Sequence, residues 1–241
     1  MLCDSGDIPQ KMIILKNYTF SYPDGRNIFK GLNLEIPQGE CFGIIGANGA
    51  GKTTLLFSLV GILKGNGKII INNIPLNKKT LKKIRKEMGF VFQDPNIQLF
   101  SPTVFDDVAF GPINMGLSPD IVQERVKKAL SQVGLSGYEN RLSYHLSMGE
   151  KKRVALATVL SMNPSILLLD EPSSGLDPRA RREMIKLIQT LSGTKIIATH
   201  DLDMVSKLCN RVGVLYKGNF VWIGPPNKLL YDTKKLESFG L

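Results

Sequence analysis

Residues 41–54, CFGIIGANGAGKTT, decide the fold class expected for this chain. Cys41 to Ile45 form an apolar run of strand length, and a segment with the apolar density of a helix runs from Thr53 to Leu63. Between them lies the pattern GxxxxGK followed by Thr, which is a phosphate-binding loop when a strand precedes it and a helix follows it. The stretch therefore predicts a nucleoside triphosphate site in an α/β fold.

Each residue type in this loop has a chemical reason to be there. Glycines let the backbone wrap the phosphates with its N–H groups, and the helix that follows points its positive end at them. Lys52 can reach the β and γ oxygens, and the Thr53 hydroxyl can ligate Mg²⁺. The predicted nucleotide-binding residues are Gly46, Ala47, Asn48, Gly49, Ala50, Gly51, Lys52, Thr53 and Thr54.

The later apolar runs predict a mostly parallel sheet covered by helices, because they are continuous rather than alternating. They cover Met88 to Phe92, Ile166 to Leu169, Ile196 to Ala198 and Val212 to Tyr216. Near the N-terminus, two alternating stretches flank a turn at Tyr22-Pro23-Asp24-Gly25 and predict an antiparallel pair, Lys11 to Phe20 and Gly31 to Ile36. We therefore expect an α/β core with an antiparallel β subdomain.

Between Phe92 and Asn163 the pattern changes from strands to helices. Ser118-Pro119-Asp120 predicts a helix start, since Ser is a good N-cap and Pro suits the first helical position. One face of that helix is apolar and consists of Ile121, Val122, Val126, Ala129, Leu130 and Val133. The expected organisation is a loose segment over residues 1–11 and a single domain over 12–241, with a helical subdomain over about 93–163 inserted in it.

A second motif supplies two carboxylates in succession. The apolar strand from Ile166 to Leu169 ends in Asp170 and Glu171. In a phosphate-loop ATPase the first carboxylate would hold Mg²⁺, directly or through water. The second would lie beside the γ-phosphate, where a carboxylate can accept a proton from attacking water. The alternative is a strand that merely ends at an acidic pair on the surface. The phosphate loop makes this alternative less favoured, because a nucleotide site needs an acidic strand beside the loop.

Ser147-Met148-Gly149-Glu150 has the form of a capping box, which is ordinary helix punctuation by itself. Preceded by Leu146 and placed about 20 residues before the acidic strand, the run LSMGEKKR resembles the signature motif of ABC-type ATPases. The resemblance extends from about Met12 to about Pro226, and the rest of that family's motif order is present. It implies an ATPase that uses ATP and Mg²⁺.

The resemblance also implies roles for residues that chemistry alone would not single out. Gln93 is similar to the Q-loop glutamine, which senses Mg²⁺ and the attacking water, and His200 to the switch histidine that contacts the γ-phosphate. Tyr22 matches the aromatic residue that stacks on adenine. Asp177 matches a residue that crosses a dimer interface, although Gly-Leu-Asp-Pro could equally be a plain helix start. The implied catalytic residues are Lys52, Gln93, Glu171 and His200, and the implied Mg²⁺ site is Thr53, Gln93 and Asp170.

In this family two such domains pair head to tail, with each ATP between the phosphate loop of one and the signature helix of the other. Ser147, Gly149 and the N–H groups of the helix that Ser147 opens form an anion site that cannot fold back onto its own phosphate loop. A second copy is its natural counterpart, and a homodimer is allowed because both half-sites lie in one chain. Met148 replaces the family's usual Gly, and its side chain either crowds that interface or faces away.

The stretch Phe92-Gln93-Asp94-Pro95-Asn96-Ile97-Gln98-Leu99-Phe100 and its continuation to Pro112 is similar to the ATPases of cobalt importers and their energy-coupling-factor relatives. The implied function is to power import of cobalt ion through an integral membrane permease, from the cytoplasmic face of the membrane. A vitamin or nickel importer is the alternative. Phe100, Val104 and Phe105 would line a groove for the permease, unless they are core residues of the helical insert.

Composition limits the other function classes. With 31 basic and 21 acidic residues the net charge is +10, which would suit nucleic acid, anionic lipid or phosphates. The densest basic run, from Lys78 to Lys86, has no aromatic residue for base stacking and is typical of a solvated helix face. A soluble ABC ATPase acting on nucleic acid or ribosomes stays open, but no nucleic acid partner is expected. No stretch is long and apolar enough to predict a membrane span.

Overall fold

The computed structural model describes residues 10–230 and 232–241. The strands are β1 (Lys11–Ser21), β2 (Asn27–Pro37), β3 (Cys41–Ile45), β4 (Asn66–Ile71), β5 (Ile74–Pro75), β6 (Met88–Val91), β7 (Ile166–Asp170), β8 (Thr194–Ala198), β9 (Arg211–Tyr216) and β10 (Asn219–Gly224). The helices are α1 (Lys52–Leu59), α2 (Leu81–Glu87), α3 (Pro95–Gln98), α4 (Val104–Asn114), α5 (Pro119–Gln132), α6 (Met148–Leu160), α7 (Pro178–Thr190), α8 (Leu202–Leu208), α9 (Asn227–Leu230) and α10 (Thr233–Ser238). The predicted loose segment lies outside the described residues except for Gln10 and Lys11, and Lys11 already begins β1.

The larger sheet has the strand order β10-β9-β3-β8-β7-β6, and its strands from β9 to β6 are parallel. Only β10 pairs antiparallel, with β9. Every residue of β3, β7 and β8 is buried, as the continuous apolar runs predicted. Parallel strands end at the same edge of a sheet, so the loops that follow β3, β6, β7 and β8 lie together there.

The smaller sheet is antiparallel, with the order β2-β1-β4-β5. Its hairpin between β1 and β2 closes through a turn in which Tyr22 N–H donates to Arg26 O at 2.9 Å. Apolar side chains of this sheet share one hydrophobic cluster with the core sheet, which includes Phe29, Phe42 and Leu168. The α/β class with an antiparallel β subdomain is thereby confirmed.

Alternate residues of the core strands face different layers, because successive strand side chains point to opposite sides. Leu168 and Ile196 belong to the cluster that includes α1 and the antiparallel sheet. Leu167 and Leu169 belong to the cluster formed with α4, α5 and α6. The sheet is therefore covered on both faces, and α6 packs against β6 in the cluster that also holds Leu167 and Leu169 of β7.

The segment between β6 and β7 contains α3 to α6. Helix α5 begins after Ser118 with Pro119 in its first turn, as predicted, and buries most of the predicted face: Val122, Val126, Ala129 and Leu130. Ile121 does not belong to that buried face, because its side chain is 43% exposed.

The prediction that Val104 lines an open groove is wrong. Val104 begins α4 and is fully buried one helical turn from Val108, in the cluster that joins α4, α5 and α6. Phe105 is partly buried against the same cluster. Phe100 precedes α4 and is 65% exposed, so it alone of the three presents most of its ring to solvent.

Candidate nucleotide-binding site

The phosphate-binding loop connects the end of β3 to the first residue of α1, Lys52. Gly51 is the N-cap of α1 with φ +99°, a left-handed conformation that favours glycine. A Cβ at Gly51 would also lie 2.8 Å from the Ile28 side chain, so no larger residue fits there. The backbone N–H groups that begin α1 have no partner within the helix and are free to bind anionic oxygen.

Lys52 is buried inside the loop rather than extended into solvent. Its Nζ donates to Gly46 O at 2.8 Å and to Ala47 O at 3.4 Å, and it lies 3.7 Å from Oε1 of Glu171. Three oxygen atoms thus hold the ammonium group between the loop and the acidic strand. A phosphate oxygen placed there would replace neutral carbonyl partners with a charged one.

Thr53 and Asp170 meet at the next position along the loop. The Thr53 hydroxyl donates to Oδ2 of Asp170 at 2.8 Å, while Oδ1 of Asp170 is buried and has no partner among the described residues. Burial raises the pKa of Asp170, and the nearby Glu171 carboxylate raises it further, against the lowering effect of the Thr53 hydrogen bond. A buried carboxylate oxygen without a partner, beside a hydroxyl, is the oxygen donor set that Mg²⁺ prefers. The residues present therefore fit a magnesium ion.

Glu171 is the next residue and is 6% exposed. Its Oε2 accepts hydrogen bonds from the Thr199 hydroxyl at 2.9 Å and from the His200 backbone N–H at 3.4 Å, and it lies 2.9 Å from Nδ1 of His200. Its backbone has φ +45°, which is uncommon for a residue with a side chain. The carboxylate is thus held by one oxygen, whereas Oε1 is paired only with the more distant Lys52 ammonium.

A cleft of about 440 Å³ lies over these groups. It is lined by Tyr22, Arg26, Ile28, Asn48, Gly49, Gly51, Lys52, Thr53, Thr54, Gln93, Glu171 and His200. The structure therefore brings together the predicted phosphate loop, Glu171, His200, Gln93 and Tyr22. The Tyr22 hydroxyl lies 3.1 Å from the Thr54 hydroxyl, and its ring packs edge-on against Phe20.

The predicted signature residues lie elsewhere. Ser147 caps α6, with its hydroxyl accepting from Glu150 N–H while the Glu150 carboxylate accepts from Ser147 N–H, so the capping box is present. Ser147, Gly149 and Asp177 are not among the described residues that line the nucleotide cleft. Asp177 is exposed and caps α7 by accepting from the backbone N–H groups of Arg179 and Ala180.

Met148, the departure from the family pattern, is 42% exposed and borders a second cleft of about 450 Å³. That cleft also reaches Gln93, Asp170 and Gly175, so it lies behind the magnesium-binding groups on the side of α3 and α6. A larger cleft of about 710 Å³, between α5, α6 and the end of α7, contains none of the predicted site residues.

Arg26 and Ile28, which line the cleft, were not predicted, and neither were three residues that hold the segments around it. Thr199 follows β8 and holds Glu171, and Asp201 accepts from the Ser173 hydroxyl and the Arg181 guanidinium. Lys152 of α6 donates from Nζ to the backbone carbonyls of Gln93 and Glu171. Lys152 had a signal in the sequence, since its spacing from Leu156 and Val159 places it on the buried face of α6. Thr199 and Asp201 had none beyond their position after a strand.

Comparison with known proteins agrees with this geometry. The ABC transporter family matches residues 29–174. A putative ABC transporter ATP-binding protein of Geobacter sulfurreducens is 50% identical over 231 residues, which are 95% of this chain and 93% of the relative. An energy-coupling factor transporter ATP-binding protein, EcfA, of Methanothermobacter thermautotrophicus is 46% identical over 95% of this chain and 76% of its own length.

Two solved structures extend the likeness to the fold. CbiO1 from Clostridium perfringens, described as part of the ABC transporter complex CbiONQ, superposes with a TM-score of 0.85 at 40% identity, over 95% of this chain and 94% of that one. A dimeric ATP-binding cassette in a post-hydrolysis state with ADP and Pi superposes with a TM-score of 0.81 at 30% identity, over 89% of this chain and 99% of that one.

Across residues 10–230 and 232–241, none of the helices combines the length and the apolar character that crossing a bilayer requires. The family match covers the phosphate loop and the acidic strand, and two relatives match nearly the whole chain. The chain therefore belongs to the ABC transporter family, as an ATP-binding protein with ATPase activity coupled to transport.

Proposed function

We propose that this chain is the ATPase of a cobalt importer, that it dimerises head to tail around two MgATP, and that it acts on an integral membrane permease at the cytoplasmic face of the membrane. The observation that carries the proposal is the cleft in which Lys52, Thr53, Glu171 and His200 converge. The EcfA and CbiO1 relatives support the importer subgroup.

The chemistry follows from the partners of Glu171. Oε2 is occupied by Thr199 and His200, so Oε1 is the oxygen available to accept a proton from a water molecule that attacks the γ-phosphorus. Lys52 lies on the same side and offsets negative charge on the phosphate oxygens. His200 is 64% exposed at its side chain, which lets it move from Glu171 to a bound phosphate.

Asp170 and Thr53 would hold the magnesium ion of MgATP, and Gln93 borders the second cleft together with both of them. When bound, Mg²⁺ neutralises charge on the β- and γ-phosphate oxygens. The Asp170 carboxylate supplies the unpartnered Oδ1 for this purpose. Tyr22, at the rim of the cleft, presents its ring for stacking on the adenine base.

The head-to-tail dimer is supported by where the signature residues lie. Ser147 and Met148 are exposed at the N-terminus of α6, and neither lines the cleft over Lys52 and Glu171, whereas Met148 borders the second cleft. A Cβ at Gly149 would meet only the Ala180 and Leu176 side chains at ordinary contact distances, 3.5 and 4.0 Å. Within residues 10–230 and 232–241 nothing requires glycine there, whereas close approach of a phosphate group bound to a second copy would.

Exposed apolar side chains on α3 and α4 support contact with a permease. Phe100 and Phe110 pack edge-to-face with ring centroids 5.0 Å apart, and both are more than half exposed. Ile97 and Ile113 are also more than half exposed. Asp107 fixes the base of this surface, since it accepts from the backbone N–H groups of Phe100 and Ser101. Exposed aromatic pairs of this kind mark interaction surfaces.

Residues 12–241 would then act as one domain, with residues 93–163 as the helical subdomain that carries both the signature helix and the permease surface. The substrate would be bound by the permease and not by this chain. A vitamin or nickel importer is the alternative, supported by the EcfA relatives. A soluble ATPase acting on nucleic acid rests on the net charge of +10 alone.

The test is to purify the tagged chain from detergent-solubilised membranes of its own host and identify the proteins that accompany it by mass spectrometry. We expect a small set of integral membrane proteins, and the substrate-binding member of that set decides between metal and vitamin. The matched control is the chain with Phe100→Asp and Phe110→Asp, which should lose these partners. Recovery of ribosomes or nucleic acid, or of no membrane protein, would contradict the importer.

A further inference from the structure

Helix α6 carries a lysine where the helix packs against the core. Lys152 is 4% exposed, and its Nζ donates to the backbone carbonyl oxygens of Gln93 at 3.0 Å and Glu171 at 3.1 Å. Lys151, its neighbour, instead reaches the side chain of Asn96 at 2.9 Å. Only one of the two adjacent lysines therefore joins the helix to both loops of the nucleotide site.

Burial of Lys152 disfavours the charged form of its side chain. Desolvation lowers the pKa of this ammonium group, and the nearby carboxylates of Glu171, Asp94 and Asp170 act in the opposite direction. No ion pair within hydrogen-bond distance compensates it among the described residues. Burying an ammonium group costs free energy of desolvation, which two main-chain carbonyls do not fully offset. This cost indicates that Lys152 does more than fill space in the core.

The main chain that Lys152 holds is unusual. Glu171 has φ +45°, and its N–H donates to Ala198 O at 2.8 Å while its carbonyl accepts from Lys152. The N–H of Glu171 is therefore fixed by β8, and its carbonyl is shared between Lys152 of α6 and the Ser174 N–H, which donates at 3.1 Å. Because the side chain follows from the backbone conformation, the direction of the Glu171 carboxylate depends on both contacts.

Lys152 also lies on the helix that begins with Ser147, just over one turn along it. A helix moves as a rigid unit, so a displacement of its N-terminus is carried to Lys152 and from there to Gln93 and Glu171. The N-terminus of α6 is the part that would face the nucleotide of a second copy.

We propose that Lys152 is a positioning residue for hydrolysis: it fixes the main chain of Glu171 and Gln93 to α6 and thereby links the orientation of the proton acceptor to the signature end of the same helix. This inference rests on the proposed role of Glu171. Lys152 does not touch the nucleotide and is not a catalytic residue.

The experiment compares Lys152→Met with Lys151→Met in the full-length chain by steady-state ATPase kinetics. Methionine keeps an unbranched apolar side chain and removes the ammonium group, which is both the donor and the positive charge. For Lys152→Met we expect kcat to fall by about 100-fold, the scale of a 1 Å misplacement of a reacting group, with KM for ATP within about twofold of wild type. For Lys151→Met we expect both constants to stay unchanged.

Two further variants separate positioning from folding. Lys152→Arg keeps donors, and the cleft that Lys152 borders leaves room for a guanidinium group, so we expect it to recover at least about tenfold in kcat over the methionine variant. If the methionine variant is insoluble, Lys152→Leu, which also lacks a donor, takes its place under the same criteria. Wild-type kcat in Lys152→Met, a change in KM alone, or equal losses in the Met and Arg variants would overturn the proposal.

Glu171→Gln in the same assay separates the positioning role of Lys152 from the proposed role of Glu171 as proton acceptor. If Glu171→Gln is inactive while Lys152→Met is fully active, the positioning role fails and the role of Glu171 stands. If Glu171→Gln retains wild-type turnover, the proposed function of Glu171 fails, and with it the reason for positioning it.

Discussion

The Thr53 hydroxyl donates to Oδ2 of Asp170 across 2.8 Å and leaves Oδ1 of the same carboxylate buried without a partner. The helix after the phosphate loop and the end of β7 are thus joined at the point where a metal ion would complete the hydrogen-bonding and charge requirements of Asp170. An uncompensated buried carboxylate destabilises a fold, so its presence argues for a ligand that binds there.

Asp170→Asn should weaken the dependence of ATP binding on Mg²⁺. We expect about 10- to 100-fold weaker affinity for Mg²⁺ in the presence of ATP, because the amide oxygen carries no charge. The melting temperature of the nucleotide-free protein should not fall, since burial already disfavours the charged form of Asp170. Calorimetric titration of ATP at several Mg²⁺ concentrations measures the first effect. An unchanged Mg²⁺ dependence would remove Asp170 from the metal site.

Met148→Gly should raise ATP turnover. Met148 is 42% exposed at the N-terminus of α6, where a flexible side chain stands between this helix and an approaching second copy. Met148→Leu is the matched control, because it keeps the volume and should leave turnover unchanged. Turnover is measured in the purified membrane complex. A rate in the glycine variant equal to or below that of wild type would show that Met148 does not restrict the interface.

The stability of the protein should fall in acid through Asp201. Burial would raise the pKa of Asp201, but hydrogen bonds from Arg181, from Met204 N–H and from Ser173 outweigh it and lower the pKa to about 2. The pKa of an unfolded aspartate is about 3.9. The stabilisation is therefore complete above about pH 4 and is lost as the pH falls from about 4 to 2.

The free energy involved is about 1–2 kcal/mol at neutral pH, allowing for a partner guanidinium that is partly exposed. Urea unfolding of wild type and Asp201→Asn across this pH range measures this contribution. The difference between their free energies of unfolding should vanish near pH 2. Asp203→Asn should show a smaller difference, because Asp203 is 44% exposed. If the difference in the free energy of unfolding between Asp201→Asn and wild type did not depend on pH, the lowered pKa of Asp201 would not be its cause.

The elements around the phosphate loop could be predicted closely because short-range signals determine them. β3 spans the predicted residues, and α1 starts one residue before the predicted position. The predicted end of α1 at Leu63 is four residues too late. Gly61 has φ +67°, and Ile62 N–H returns to Phe57 O at 2.9 Å, so the chain leaves the helix after Leu59.

Contacts between distant elements could not be predicted in the same way. Val104 follows Phe100 after Ser101-Pro102-Thr103, and the sequence does not say which of the two apolar residues faces α5 and α6. The Arg181 to Asp201 ion pair joins α7 to α8 across 20 residues, and neither residue belongs to a recognisable motif. Lys152 is one of two adjacent lysines in α6; its spacing from Leu156 and Val159 indicates that it is buried, but not that it contacts Glu171.

Two proposals meet at Glu171: two copies of this chain bind MgATP between them, and Glu171 accepts the proton during hydrolysis. Glu171→Gln should preserve ATP binding and abolish turnover, because only the proton acceptor is lost. Sedimentation of this variant with and without MgATP is the most direct measurement, with Lys52→Ala, which should lose affinity for the nucleotide, as the control. We predict a monomer without nucleotide and a stable dimer with MgATP. A monomer in both conditions, or ATP turnover near the wild-type rate, would contradict the account.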